Sequence, residues 1–361
     1  MHHELTKNEY NGLGIDFLKK KFNTKIFFVL NLTNKKLDKI LKKNRNTICF
    51  EVGFKFKSFF IKKKIKKYNL LHASVYTLGG YPSVYGKKTL SQKLKLKLKL
   101  FLTPRLLFYR IIDLIINNLK YFYYFDIVFH GGTESYKYPG FNKAKYKIYA
   151  SSLDYGTYLK NKDKIKILTN QKNYAVFIDT YFPFHPDNEK DTNLFIKPSE
   201  YFEKLSYFLN EFEKKTKLKI IIALHPKADL KRYPQNIKKF KIIKNKTISL
   251  IKNSKVVLHQ GSTAQSYAVL FKKPLIFLTS NEMLKYDFIK DHTFAKDLFK
   301  SKLMNMDDID YDFLLDKKKL FYYNKTLYKD YILKNLKHPK SPNKPWYKIF
   351  NDFTKKNNLF I

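Results

Sequence analysis

The chain contains one cysteine, Cys49, so no disulfide can form within it, and no His/Cys cluster has the spacing of a zinc site. A reducing cytoplasm fits that scarcity. Arginine is almost missing as well, standing only at Arg45, Arg105, Arg110 and Arg232 among 72 basic residues. No apolar run is clean enough to span a bilayer: the nearest, 106–125, is broken by Arg110, Asp113, Asn117, Asn118 and Lys120 and reads as a buried amphipathic helix. The residues from Met1 to Lys7 lack an apolar core behind a basic start, so no secretory signal is expected. There is no Walker A loop, no Gly-x-Gly-x-x-Gly fingerprint and no Gly-x-Ser-x-Gly elbow. A solenoid repeat and Gly-Ser or Pro-rich tracts are also lacking.

What is present is lysine, with a formal net charge of +42. Lys, Asn, Ile, Phe and Tyr are abundant together, the mark of an A/T-rich coding genome, and this background is read as the main source of the charge. Attraction to an anionic membrane surface or an acidic glycan comes next, and specific nucleic-acid binding third, because Arg rather than Lys suits bidentate recognition. Tyr, Phe and Lys interleave along the whole chain, which favours core aromatics over a stacking platform for single strands. At 361 residues and 44% apolar content, two domains with ordinary cores are expected.

Apolar runs and helical stretches alternate along the chain, as parallel α/β structure requires. In the first half, strands are expected at 25–30 and 47–52 with a basic helix at 35–43 between them. The strictly alternating Lys-Leu run at 93–100 reads as a strand, either a solvated edge or a basic face against the inner membrane. A fresh helix starts at about 104, after Thr103. A strand at 125–130 ends in Gly131 and Gly132, residues that let a ligand approach the backbone, and another begins at 148. Asp154 would cap a helix at 155–160, and the Lys-rich stretch 160–172 reads as an interdomain linker. In the second half, strands are expected at 174–178, 220–224, 240–243, 256–259 and 275–278, with helices at 199–215, 247–252 and 264–271, a Rossmann-like order.

Two of those strands end in residues suited to a phosphate. The run 220–224 stops at His225-Pro226-Lys227, where Pro226 sets the chain direction and His225 and Lys227 supply donors. The run 256–258 leads through His259 and Gln260 to Gly261-Ser262-Thr263, where Gly261 permits a tight turn and Ser262 and Thr263 would cap the following helix. On neighbouring parallel strands the two junctions would meet at one rim.

The ordered pair, His-Pro after one strand and Ser-Thr after a later one, resembles the motifs of bacterial sialyltransferases of the GT-B type, which use CMP-activated donors. The run from Gly261 to Pro274 is similar to the nucleotide-sugar helix of GT-B proteins in general. The resemblance covers about 173–280 and implies two Rossmann-like domains facing each other across a cleft. The domains would be 1–165 on the acceptor side and 166–330 on the nucleotide side, with 331–361 packing back on the first. It implies that His225, Pro226, Lys227, Gly261, Ser262, Thr263 and Gln265 bind the nucleotide. His130, Gly131, Gly132, Thr133 and His185 would line the cleft near the donor sugar. Where the family has an acidic-acidic-Gly motif this chain has His-Gly-Gly-Thr-Glu, so Glu134 is the first candidate base and Asp154 the second, with His225 stabilising the leaving phosphate. The implied reaction moves a sialic-acid-like or Kdo sugar from CMP to a glycan or glycolipid acceptor of a capsule or lipopolysaccharide. No metal or other cofactor is expected, and the enzyme would be cytoplasmic with peripheral contact on the inner membrane. The alternatives are a GT-B enzyme using a UDP- or GDP-sugar, and a non-catalytic basic protein binding membrane surfaces or nucleic acid. Asp307-Asp308-Ile309-Asp310 contains an Asp-x-Asp, but with no buried strand expected before it, it reads as an acidic surface loop.

Overall fold

The computed structural model describes residues 7–27, 33–44, 47–51, 56–75, 124–137, 141–163, 173–184, 196–285 and 296–359. The Lys-Leu run at 93–100, the helix expected from 104, most of the amphipathic stretch after it, and His185 lie outside these residues. The chain forms two units, Met1–Lys160 with Leu333–Ile361, and Asn161–Ile332.

In the first unit four strands, β1 (Ile48–Glu51), β2 (Leu71–Val75), β3 (Ile127–His130) and β4 (Tyr146–Tyr149), make an all-parallel sheet in the order β1-β2-β3-β4. The strand expected at 25–30 is not formed over 25–27, which are irregular. Alternation along β3 sends Ile127 and Phe129 to one face and Val128 and His130 to the other. On the first face the core is completed by the helix Trp346–Lys356. The Trp346 ring meets Phe50 and Phe129 edge-on at 5.5 and 5.7 Å, and its indole N–H donates to Gly12 O at 3.3 Å.

The second unit is built on β5 (Tyr174–Ile178), β6 (Lys219–Leu224), β7 (Lys241–Lys244), β8 (Val256–His259), β9 (Leu275–Thr279) and β10 (Lys302–Asn305). The central strands are continuous apolar runs because both faces are covered. The helix Pro198–Thr216 starts with Pro at its first turn and buries Phe202, Leu205, Phe208, Leu209 and Phe212. All pairings are parallel, in the order β10-β9-β8-β5-β6-β7.

That order corrects one expectation. β6 and β8 are not neighbours, because β5 lies between them. The chain steps outward from β5 through β6 to β7, then returns to the other side of β5 and steps outward again through β9 to β10. The reversal falls between β5 and β8, the topological switch point where an open α/β sheet leaves a crevice outside its carboxyl ends.

The acidic segment follows β10, an edge strand that pairs with β9 and buries only Met304. Asp307 is bound by Lys204 at 2.5 Å and accepts from Asn281 N at 2.7 Å, while Asp310 pairs with Lys302 and caps the next helix at Phe313 N. These carboxylates serve the fold, and among the described residues no cluster of His, Cys, Asp and Glu could hold a metal ion.

Candidate functional site

The carboxyl ends of β8, β5 and β6 stand side by side and deliver Gly261, Asp179 and His225 to one edge of the second sheet. After β6 the chain turns at once. Pro226 and Lys227 are exposed, His225 is half-buried, and Lys227 N donates to His225 Nδ1 at 3.3 Å. That bond places the imidazole proton on Nε2, so neutral His225 presents a donor there. After β8 the same arrangement recurs, with Gly261 N donating to the Nδ1 of buried His259 at 3.3 Å. Gly261 itself has φ +92°, a backbone region that favours glycine.

The helix after this turn is shorter than its sequence suggested. It runs Gln265–Leu270, with Ala264 at its N-cap and no capping side chain. Ser262 instead closes a local turn, its Oγ accepting from Ala264 N at 3.2 Å, and exposed Thr263 accepts on its carbonyl from Ser266 Oγ at 3.0 Å. The expectation that Ser262 and Thr263 cap a helix from 264 is therefore corrected, and six residues are too few for the helix-end argument. Gln265 is wholly buried, and neither of its amide atoms finds a hydrogen-bond partner. A buried amide left without partners costs on the order of 1–3 kcal/mol, which an incoming polar group would relieve. Gln260 is already tied inward, accepting from Tyr201 Oη at 2.5 Å.

Asp179 was not singled out by the sequence, although it follows an apolar run just as His225 does. It is 4% exposed, and its carboxylate accepts from Tyr181 N and His225 N at 3.0 Å each and from Tyr233 Oη at 2.7 Å. Burial pushes its carboxyl above the ordinary aspartate value, against the downward pull of those three donors.

The carboxyl end of β3, in the first unit, is built differently. His130 is fully buried. Ser135 Oγ donates to Gly132 O at 2.5 Å and so accepts from His130 Nδ1 at 2.7 Å, which puts the proton on Nδ1. Nε2 is then a bare acceptor, buried and without a partner. Burial, with the nearby His338 and Lys147, pulls the pKa of His130 down to about 4. Its ring stacks on Tyr136 at 4.3 Å, and Tyr136 Oη lies 3.3 Å from His338 Nε2.

Gly131 and Gly132 are buried, and the close approach at Gly132 is made by the protein's own chain. A Cβ there would stand 2.2 Å from Lys334 O and 2.8 Å from Asn335 N. Thr133 and Glu134 open a 3₁₀ turn, Thr133–Lys137, and Glu134 pairs with Lys137 at 2.7 Å. Asp154 does not cap its helix, Leu153–Asn161. It sits in the first turn, while Ser152 Oγ accepts from Tyr155 N at 3.3 Å. Glu134 and Asp154 thus belong to the first unit, and His225, Gly261 and Gln265 to the second.

No protein-family model matches the sequence, and no curated protein matches it. Among solved structures, the S. aureus MnaA–UDP co-structure is similar with a TM-score of 0.52 at 13% identity, covering 99% of this chain and 88% of that one. The chain has the GT-B fold. A putative UDP-N-acetylglucosamine 2-epimerase from Listeria monocytogenes gives a TM-score of 0.48 at 10% identity over 95% of this chain and 86% of that chain. CalG4, the calicheamicin glycosyltransferase, gives 0.47 at 9% over 99% and 83%. In the GT-B unit that carries β5 to β10, the switch-point edge is where chain reversal leaves room for a ligand. Among the described residues no helix is long and apolar enough to cross a membrane.

Proposed function

We propose that this protein is an enzyme acting on a nucleotide-linked sugar, and that it holds the nucleotide phosphates at the carboxyl ends of β8, β5 and β6. The observation that carries the reading is the topological switch between β5 and β8, with the His225 turn on one side and the Gly261 turn on the other. His225 Nε2–H and the Lys227 ammonium are donors suited to an anion, and Gln265 has two amide atoms to satisfy. A uridine nucleotide is the first choice, because the S. aureus structure of like fold was solved with UDP. A CMP-linked acidic sugar is the second, favoured by the order of His225-Pro226 and Ser262-Thr263.

The reaction is glycosyl transfer to an acceptor hydroxyl, the acceptor being a surface glycan or glycolipid. A carboxylate, Glu134 before Asp154, takes the acceptor proton, and His225 with Lys227 stabilises the negative charge gathering on the leaving phosphate. Calorimetric titration with UDP, GDP and CMP separates the readings. UDP is expected to bind tightest, and His225→Ala and the double change Ser262→Ala with Thr263→Ala each weaken it roughly tenfold or more, the loss of one charge-assisted bond. Tighter binding of CMP would select the second reading. Binding only to DNA or anionic vesicles, with a steep salt dependence, would replace the enzyme by a basic surface-binding protein. Once a donor is known, Glu134→Gln should lower turnover about 10²–10⁴-fold and leave donor affinity intact. Activity near wild type would move the base to Asp154, tested by Asp154→Asn.

A further inference from the structure

Asp179 sits at the switch point itself, directly after β5 and between the two junctions that end on His225 and Gly261. Its carboxylate joins three pieces of chain. One oxygen accepts from Tyr181 N, fixing the segment that leaves β5, and the other accepts from His225 N and Tyr233 Oη. The residues it binds at 225 and 233 are the two ends of one loop. Between them lie Lys227, Lys231 and Arg232, all exposed. Tyr233 is 3% exposed, and burial together with Asp179 raises its hydroxyl well above the ordinary tyrosine value, so it stays a donor. A second tie joins the same segments: the Arg232 guanidinium lies 3.8 Å from the Phe184 ring centre and donates to Tyr181 Oη at 3.4 Å. A buried carboxylate is costly wherever it stands, and an uncharged turn residue could end β5. Here two of the three donors, His225 N and Tyr233 Oη, are the ends of the basic loop, and the third, Tyr181 N, lies in the segment that Arg232 ties to it.

We propose that Asp179 is a positioning residue for the phosphate of the bound nucleotide: it fixes the main chain at His225 and Tyr233, so that His225 Nε2–H and Lys227 are held toward one anion. This rests on the nucleotide reading of the same edge. Asp179 does not touch the ligand, and its effect passes through His225.

Asp179→Asn keeps the size but turns one acceptor oxygen into a donor, which must then face another donor. Tyr233→Phe removes one of the three bonds and leaves the two to backbone N–H groups. The experiment measures, for the wild type and both variants, the affinity for UDP and for uridine, or for CMP and cytidine if CMP is the tighter nucleotide, with a thermal melt of each protein. Asp179→Asn is expected to weaken the nucleotide about tenfold and Tyr233→Phe about threefold, with the nucleoside changed less than twofold in both. A purely structural role would lower the melting temperature and weaken nucleotide and nucleoside alike, and that result overturns the proposal. So does unchanged nucleotide affinity in Tyr233→Phe, should Asp179→Asn fail to fold. A wild type that binds no nucleotide would sink both the nucleotide reading and this one, whereas a wild type that binds with variants that match it sinks only the role of Asp179.

Discussion

At the end of β3, in the first unit, His130 donates from Nδ1–H to Ser135 Oγ and keeps a bare Nε2 inside the protein. At the ends of β6 and β8, in the second unit, His225 and His259 receive a backbone N–H on Nδ1 from the residue two positions on, and therefore carry their proton on Nε2. The same residue type at the same kind of strand end is an acceptor in one sheet and a donor in the other. What decides it is the next few residues: a serine brought back by a 3₁₀ turn in the first case, a tight turn offering its own N–H in the second. The glycines divide the same way. Gly132 makes room for the Lys334 carbonyl, and Gly261 adopts a φ that other residues resist. A donor beside a basic turn suits a phosphate, and a neutral acceptor walled in by aromatic rings does not.

The widest separation between the two ends should come from their glycines. Gly132→Ala forces a Cβ into a backbone carbonyl and is expected to destabilise by about 3 kcal/mol or more, while leaving nucleotide affinity in any folded fraction unchanged. Gly261→Ala puts a side chain on a φ of +92°, a backbone strain of about 1–2 kcal/mol, and should weaken the nucleotide. Chemical denaturation and ligand titration of both variants check the pair. If Gly132→Ala were the one to lose the ligand, the assignment of the binding edge to the second unit would be wrong.

A smaller difference concerns acid. The pKa of His130 is depressed to about 4 in the folded protein, so the unfolded chain takes up its proton first, near 6.5, as pH falls. Its contribution to stability is present above the unfolded value and is lost on the way down to the folded one. Between pH 7 and pH 5 that loss is about 2 kcal/mol. His130→Phe keeps a ring against Tyr136 and removes the titration, so its stability should fall less over that interval than that of the wild type. An equal loss of stability between pH 7 and pH 5 in wild type and His130→Phe, read from urea melts, would show that His130 is not held neutral by burial.

The two units also differed in how far they could be read from residue order. In the second, β5, β6, β8 and β9 announce themselves as unbroken apolar runs, because a strand covered on both faces has no polar side. β10 was missed since only Met304 of Lys302–Asn305 is buried, as suits an edge. In the first unit β2 was missed too, its Leu71-His72-Ala73-Ser74-Val75 mixing polar residues into a buried strand. His72 and Ser74 belong there because Glu51 receives both, one on its side chain and one on its carbonyl. The turns that end on His225 and Gly261 were legible as local chemistry. Asp179, the group that ties one of them down, was not, since its partners Tyr181, His225 and Tyr233 reveal themselves only when β5 and β6 are side by side.

Residue order by itself determined the alternation of strand and helix, the α/β class, and the turn residues at strand ends, because these follow from burial pattern and from the short-range geometry of Pro226, Gly261 and their neighbours. Strand order was beyond it. Which strands adjoin depends on the side of β5 to which the chain returns after β7, and no local pattern records that choice. The tertiary structure alone put Asp179 between the two junctions and filled the space at Gly132 with the returning chain, because each of these is a contact between segments that only folding brings together.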